Sequence, residues 1–98
     1  MNPFEMMKNL QGLNQKAREM QEQLKGIIVT GTSGAGLAEV KMNCDFEVTS
    51  IKIDPSIFNA DNVQMAEVLL ASAVNSAILE VKSKALEQAR SSLAGMQI

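Results

Sequence analysis

The sequence predicts an α+β subunit with the element order α-β-β-β-α, and three observations predict it. An N-terminal run of apolar residues keeps heptad spacing, and the middle of the chain breaks into short β-type runs separated by turn residues. The last third then returns to uninterrupted helical spacing. The connections inside the middle region are short and turn-prone, so its strands should form an antiparallel three-stranded sheet. Two long helices should project from that sheet, and the subunit should be a homodimer.

The first helix is well signalled. Asn2 suits the N-cap, Pro3 the first helical position, and Glu5 can close a capping box back to Asn2. Met6, Leu10, Leu13, Ala17, Met20 and Leu24 then recur at alternating spacings of 4 and 3, which is a heptad seam. Gly26 supplies the stop, so the helix should cover about residues 3–25 and extend about 34 Å. The seam can bury against the chain's own sheet or pair with the same helix of a second copy.

Three β-runs follow, at Ile27–Thr30, Leu37–Met42 and Phe46–Ile53. Within the second, Ala38, Val40 and Met42 alternate with Leu37, Glu39 and Lys41, as a half-buried strand requires. The first connection is the glycine-rich Gly31-Thr-Ser-Gly34-Ala-Gly36 and the second is Asn43-Cys44-Asp45. Asp54-Pro55 opens a brief helical turn. Asp61 is the expected cap of the last helix, with Gln64 as its box partner. From Val63 onward the apolar spacing persists to Gly95, which implies about 34 residues and about 50 Å of helix. A three-stranded sheet cannot cover that length, so the outer half should project or pack on another chain.

With 98 residues the chain should form a single domain, 1–98, that buries only about 60–65% of its extended surface. Its three aromatic residues are Phe4, Phe46 and Phe58, so the core is modest and a second copy is a natural remedy. The lone Cys44 cannot make an internal disulfide, which suits a reducing cytoplasm. No early apolar run with a cleavage site appears, nor any stretch near the roughly 18 apolar residues of a membrane span, so no membrane partner is expected.

Composition argues against an enzyme. Histidine, tyrosine and tryptophan are all missing, which removes the commonest general base, the commonest transition-metal ligand and the preferred base-stacking rings. Cys44 has no histidine to activate it, and the scattered carboxylates suggest neither a hydrolase pair nor a metal site. The glycine-rich segment lacks the Gly-Lys-Ser/Thr ending of a phosphate loop and opens a strand rather than a helix. No cofactor and no small-molecule substrate are therefore expected.

The net charge of −2 is unevenly spread. Residues 1–25 sum to +1, residues 80–90 to +1, and the middle of the chain carries the acid. An anionic partner would prefer the helical ends. Lys8, Gln11, Gln15, Arg18, Glu22 and Lys25 follow the heptad rhythm on the face opposite the seam, where they could meet DNA phosphates or simply face solvent. On the last helix Lys82, Lys84 and Arg90 do not share one face, and Glu80 with Lys84 forms an i,i+4 pair.

Several segments, in order over almost the whole length, resemble the YbaB/EbfC family of bacterial nucleoid-associated proteins. They are Met7-Lys8, Lys16, Met20-Gln21-Glu22, Val29-Thr-Gly-Thr-Ser-Gly-Ala-Gly-Leu37, Ile53-Asp-Pro-Ser56, Asn75-Ser-Ala77 and Gly95-Met-Gln97. The Val29–Leu37 stretch is the specific one. The resemblance implies a homodimer in the cytoplasm and nucleoid, joined through its sheets, whose long helices bind duplex DNA with little sequence preference. It assigns DNA contact to Lys8 and Lys16. Electrostatics adds Arg18, Lys25, Lys82, Lys84 and Arg90 as candidates. Two positions depart from the family pattern: Asn43-Cys44-Asp45 replaces an Asn-Gly hairpin, and Glu19 stands where a basic residue is common. The rival expectation is a dimeric protein-interaction module that presents a Met- and Ala-rich helical groove, using Met6, Met7, Met20, Met65 or Met96.

Overall fold

The computed structural model describes residues 2–96. Helix α1 spans Pro3–Lys25, strands β1, β2 and β3 span Ile28–Ser33, Ala38–Asn43 and Val48–Ile53, and helix α2 spans Val63–Met96. The α-β-β-β-α order is the expected one. Gln97, the end of the last family-like segment, lies outside the described residues.

The sheet is antiparallel with the order β1-β2-β3, so both outer strands are edges. Its alternation follows the sequence: Val29 on β1 and Ala38, Val40 and Met42 on β2 turn to one face and are buried there. Helix α2 covers that face with Ala73, Ala77 and Val81, each four residues from the next. Cys44 completes the core cluster. The cover stops at β2. Ile51 is the register partner of Val40 and shares its face, yet Ile51 is 52% exposed where Val40 is 0%.

The closeness of α2 to the sheet depends on Gly31. A Cβ there would lie 2.3 Å from the Ala73 carbonyl oxygen and 2.3 Å from the Ala77 amide nitrogen. Gly31 is therefore a strand residue paired with Val40, not part of the turn that the sequence suggests. Strand β1 continues to Ser33, whose hydroxyl donates to the Leu69 carbonyl and ties the strand's end to α2. The turn itself is Gly34-Ala35-Gly36, with φ of 60°, 56° and 92°, a left-handed run in which two of three residues are glycine for steric reasons.

Four further expectations are corrected. Strand β3 begins at Val48, because Phe46 takes a left-handed φ of 60° inside the preceding turn. That turn is built by Asn43, whose buried side-chain oxygen accepts from the amides of Asp45 and Glu47, both at 3.0 Å. The approach to α2 is capped by Asn59, which accepts from the Asp61 amide at 3.0 Å, so Asp61 is inside a short 3-10 turn rather than the cap. Lys84 pairs with Glu87 at 3.4 Å rather than with Glu80. Among the described residues α2 is also long and apolar enough, at a mean hydropathy of 1.2 over its most apolar window, to match a membrane span, contrary to the reading of the sequence. Alanine supplies much of that apolarity, and its innermost stripe is used on the sheet.

Candidate nucleic-acid interface

Helix α1 starts as the sequence requires. Asn2 Oδ1 accepts from the Glu5 amide at 2.8 Å, and Pro3 occupies the first turn. It ends at Gly26, which stays right-handed with φ of −84° and donates back to Gln23 and Leu24. None of its residues is buried. The heptad seam therefore does not pack on its own sheet: Leu10 is 59%, Leu13 63% and Met20 62% exposed. Leu24 alone, at the base, is packed against the core cluster. The amide of Cys44 holds this base, donating to the carbonyls of Leu24 and Ile27 at 3.0 Å each.

The polar residues of α1 fall into two adjoining shallow grooves. Lys8, Asn9, Gly12, Leu13 and Lys16 line one, and Gln11, Asn14, Gln15 and Arg18 line the other. Gly12 lies midway between Lys8 and Lys16, four positions from each, and a Cβ there would meet nothing within 4 Å. An extended anion can lie in that gap with an ammonium at each end. The Lys8 ammonium sits 5.2 Å from the centre of the Phe4 ring, a cation–π contact that orients it along the helix. From Lys8 to Arg18 the chain carries three cations and no acid, a local charge of +3 that sums over residues 1–25 conceal. That run was legible in the sequence. The acids Glu19 and Glu22 bound it, and Lys25 lies beyond them, exposed at the base of the helix.

The α2 candidates are not brought together. Lys84 faces the body, where its side chain is engaged by Glu87, and its charge opposes the effect of burial on the Cys44 thiol. Lys82 and Arg90 are exposed and flank a different surface, the row Leu79, Leu86 and Leu93. Charges on α2 are thus dispersed, and the concentrated positive surface belongs to α1. No cluster of three or more histidine, cysteine or acidic side chains able to hold a metal occurs among the described residues. The apolar groove that does form lies beside β3, lined by Ile53, Ile57, Phe58, Val63, Ala66 and Leu70. It contains no methionine, so it is not the Met-rich groove of the rival expectation.

Comparison with known proteins agrees with this architecture. The model of the YbaB/EbfC DNA-binding family matches residues 1–96. A nucleoid-associated protein of Dictyoglomus thermophilum is 37% identical over 97 residues, covering 99% of this chain and 93% of the relative. One from Legionella pneumophila strain Corby is 37% identical over 93 residues, covering 95% of this chain and 82% of the relative. One from Rhodopseudomonas palustris strain BisB18 is 40% identical over 93 residues, covering 95% and 89% respectively. The crystal structure of an uncharacterized Helicobacter pylori protein superposes with a TM-score of 0.76 at 25% identity, covering 95% of this chain and 98% of that one.

Proposed function

Because this chain belongs to the YbaB/EbfC DNA-binding family, we propose that it is a nucleoid-associated protein that binds duplex DNA as a homodimer in the bacterial cytoplasm. Lys8 and Lys16 make the phosphate contacts, and Arg18, Lys25, Lys82 and Arg90 add to the positive field that draws DNA to the arms. The observation that carries this reading is the acid-free run Lys8–Arg18 on a helix with no buried residue. Lys84 contributes least, because Glu87 already engages it. Sequence preference is weak, since phosphate contacts position a protein without reading base edges.

The test is fluorescence anisotropy with labelled random-sequence duplex at 50 and 200 mM salt. Two lysines from each of two subunits release about four counterions' worth of charge, so affinity should fall about a hundred-fold between those salts. The double reversal Lys8→Glu/Lys16→Glu should abolish binding while leaving the fold intact. A protein-interaction module working through the apolar groove beside β3 would be untouched by that variant. Salt-insensitive binding, or no binding at 50 mM salt by the folded protein, overturns the proposal.

A further inference from the structure

From Gly12 to Gly36 the chain has five glycines, and four of them have a reason inside the chain. Gly26 closes α1, Gly31 admits the α2 backbone, and Gly34 and Gly36 take positive φ in the turn after β1. Gly12 has no such reason. It lies inside the continuous helix Pro3–Lys25, and a Cβ there would meet nothing within 4 Å. After proline, glycine is the least favourable residue at such a position, because it gives up the most backbone freedom and packs no side chain. Alanine would suit the isolated helix better. The glycine therefore points outside the chain, to something that comes close to α1.

Residues four apart on a helix differ by about 40° in direction, so Lys8, Gly12 and Lys16 form one slanting row. The row runs from the face opposite the heptad seam, at Lys8, to the border of the seam, at Lys16. Gly12 itself is off the seam, about 100° round the helix from Leu13. The two lysines are about 12 Å apart along the helix axis, and the shallow groove between them is lined by Asn9, Gly12 and Leu13. One strand of duplex DNA advances about 3.4 Å along its axis per phosphate, so the gap spans more than one phosphate. An ammonium at each end, the Asn9 amide as an uncharged donor, and no acid from Lys8 to Arg18 suit an anionic polymer. The neighbouring groove of Gln11, Asn14, Gln15 and Arg18 has one cation and no glycine.

We propose that Gly12 is a positioning residue for DNA. Its missing side chain lets the sugar–phosphate backbone of one strand rest against the α1 backbone, where Lys8 and Lys16 reach its phosphates together. The inference rests on the DNA-binding reading above and adds to it the residue that sets how near the strand comes. A methyl group at this position would hold the strand off, and a larger side chain would put a ridge between the two lysines in place of a gap. Attraction between the ammonium groups and the phosphates falls with distance and is screened by salt, so a strand held off is bound less tightly. Helix stability and DNA affinity are thereby set against each other at one position. Helix propensity ranks alanine above leucine and leucine above glycine. Access for the strand ranks glycine first, alanine second and leucine last.

Those opposed rankings make the test. Native protein, Gly12→Ala and Gly12→Leu are titrated against labelled random-sequence duplex DNA at 50 mM salt, with far-UV circular dichroism reporting helix content and sedimentation equilibrium without DNA reporting self-association. Both variants should gain helical signal and leave self-association unchanged. The DNA Kd should rise about threefold for Gly12→Ala and about tenfold for Gly12→Leu, as the strand is held away from its counter-charges. Asn14→Ala is the control, since Asn14 is about 200° round the helix from Gly12 and alanine there stiffens α1 without closing the gap. Equal or tighter DNA binding by Gly12→Ala overturns the inference. So does an equal loss in Asn14→Ala, which would assign the effect to helix stiffness, or a weakened self-association in Gly12→Ala, which would place the glycine against protein. Native protein that fails to bind the duplex overturns the DNA-binding reading and this inference with it, whereas native and variant proteins that bind alike overturn this inference alone.

Discussion

The middle of α2 and the length of α1 treat apolar residues in opposite ways. Between Ala73 and Val81 the buried side chains of α2 are among the smallest apolar ones, and Ala73 and Ala77 are fully covered. Along α1 the large apolar residues Phe4, Met6, Met7, Leu10, Leu13 and Met20 are all at least half exposed, and Leu24 at the base is the exception. Between these two helical segments side-chain size therefore runs against burial. Small residues sit where the backbone must come close, as over Gly31, and large ones sit where no partner element of the same chain exists. The contact of α2 with β1 is held by backbone proximity, and the bulky apolar surface of α1 is left open within the chain.

The strongest way to break that contrast is Gly31→Val. Its side chain would have to occupy space held by the α2 backbone at Ala73 and Ala77, a collision with atoms that cannot rotate away. The expected loss is about 3 kcal/mol or more, a large part of a small domain's stability, measured as a fall in the urea midpoint. Next comes Val40→Ala, which opens a cavity at a fully buried site under α2 and should cost about 2 kcal/mol. Asn2→Ala removes the α1 cap bond and should cost about 1 kcal/mol of α1 helicity. Because α1 shares so little with the core, that loss should appear as lower far-UV helical signal before the main transition, with the midpoint of the body unchanged.

Leu13→Gln sharpens the comparison from the other side. It should change the stability of a dilute monomer by less than about 0.5 kcal/mol, since the residue is exposed there. At high concentration it should lower Tm, because it removes apolar surface offered to a second copy in the proposed homodimer. The smallest effect concerns Cys44. Burial pushes its thiol up from the ordinary value while the Lys84 charge pulls it down. A raised folded value means the protonated thiol's contribution is complete below about pH 8.5 and is lost as pH rises toward that folded value. Stability should therefore decline gently above pH 8.5 in the native protein and stay flat in Cys44→Ala, as read from urea midpoints across that range.

Much of this was legible in the sequence, for local reasons. The cap at Asn2, the seam from Met6 to Leu24, and the alternation of Ala38, Val40 and Met42 are properties of short segments, and each appears where the spacing puts it. One error arose where distant parts of the chain meet. Gly31 reads as a turn residue until α2 is laid over it, and nothing near Gly31 in sequence announces Ala77. Phe46 reads as a strand residue because it is aromatic, but the bonds from Asn43 to Asp45 and Glu47 wind the chain into a turn around it. The candidate site shows the same division. Lys8, Lys16 and Arg18 could be found from local charge, whereas the closeness of the Lys84 charge to Cys44 required the placement of α2 on the sheet.

The anchorage of α1 has a mechanical consequence. The helix is joined to the body through Gly26, the packed side chain of Leu24, and an amide of Cys44 shared between two carbonyls. Such a joint lies at one end of a rod about 34 Å long. A swing of about 10° there carries the free tip through about 6 Å, while Lys8, about one and a half turns from the tip, travels about 4.5 Å. Small angular adjustments at one glycine are thereby multiplied into displacements comparable to the spacing of successive charges on a polymer. The length of the arm lets a rigid body follow a target whose width and curvature vary.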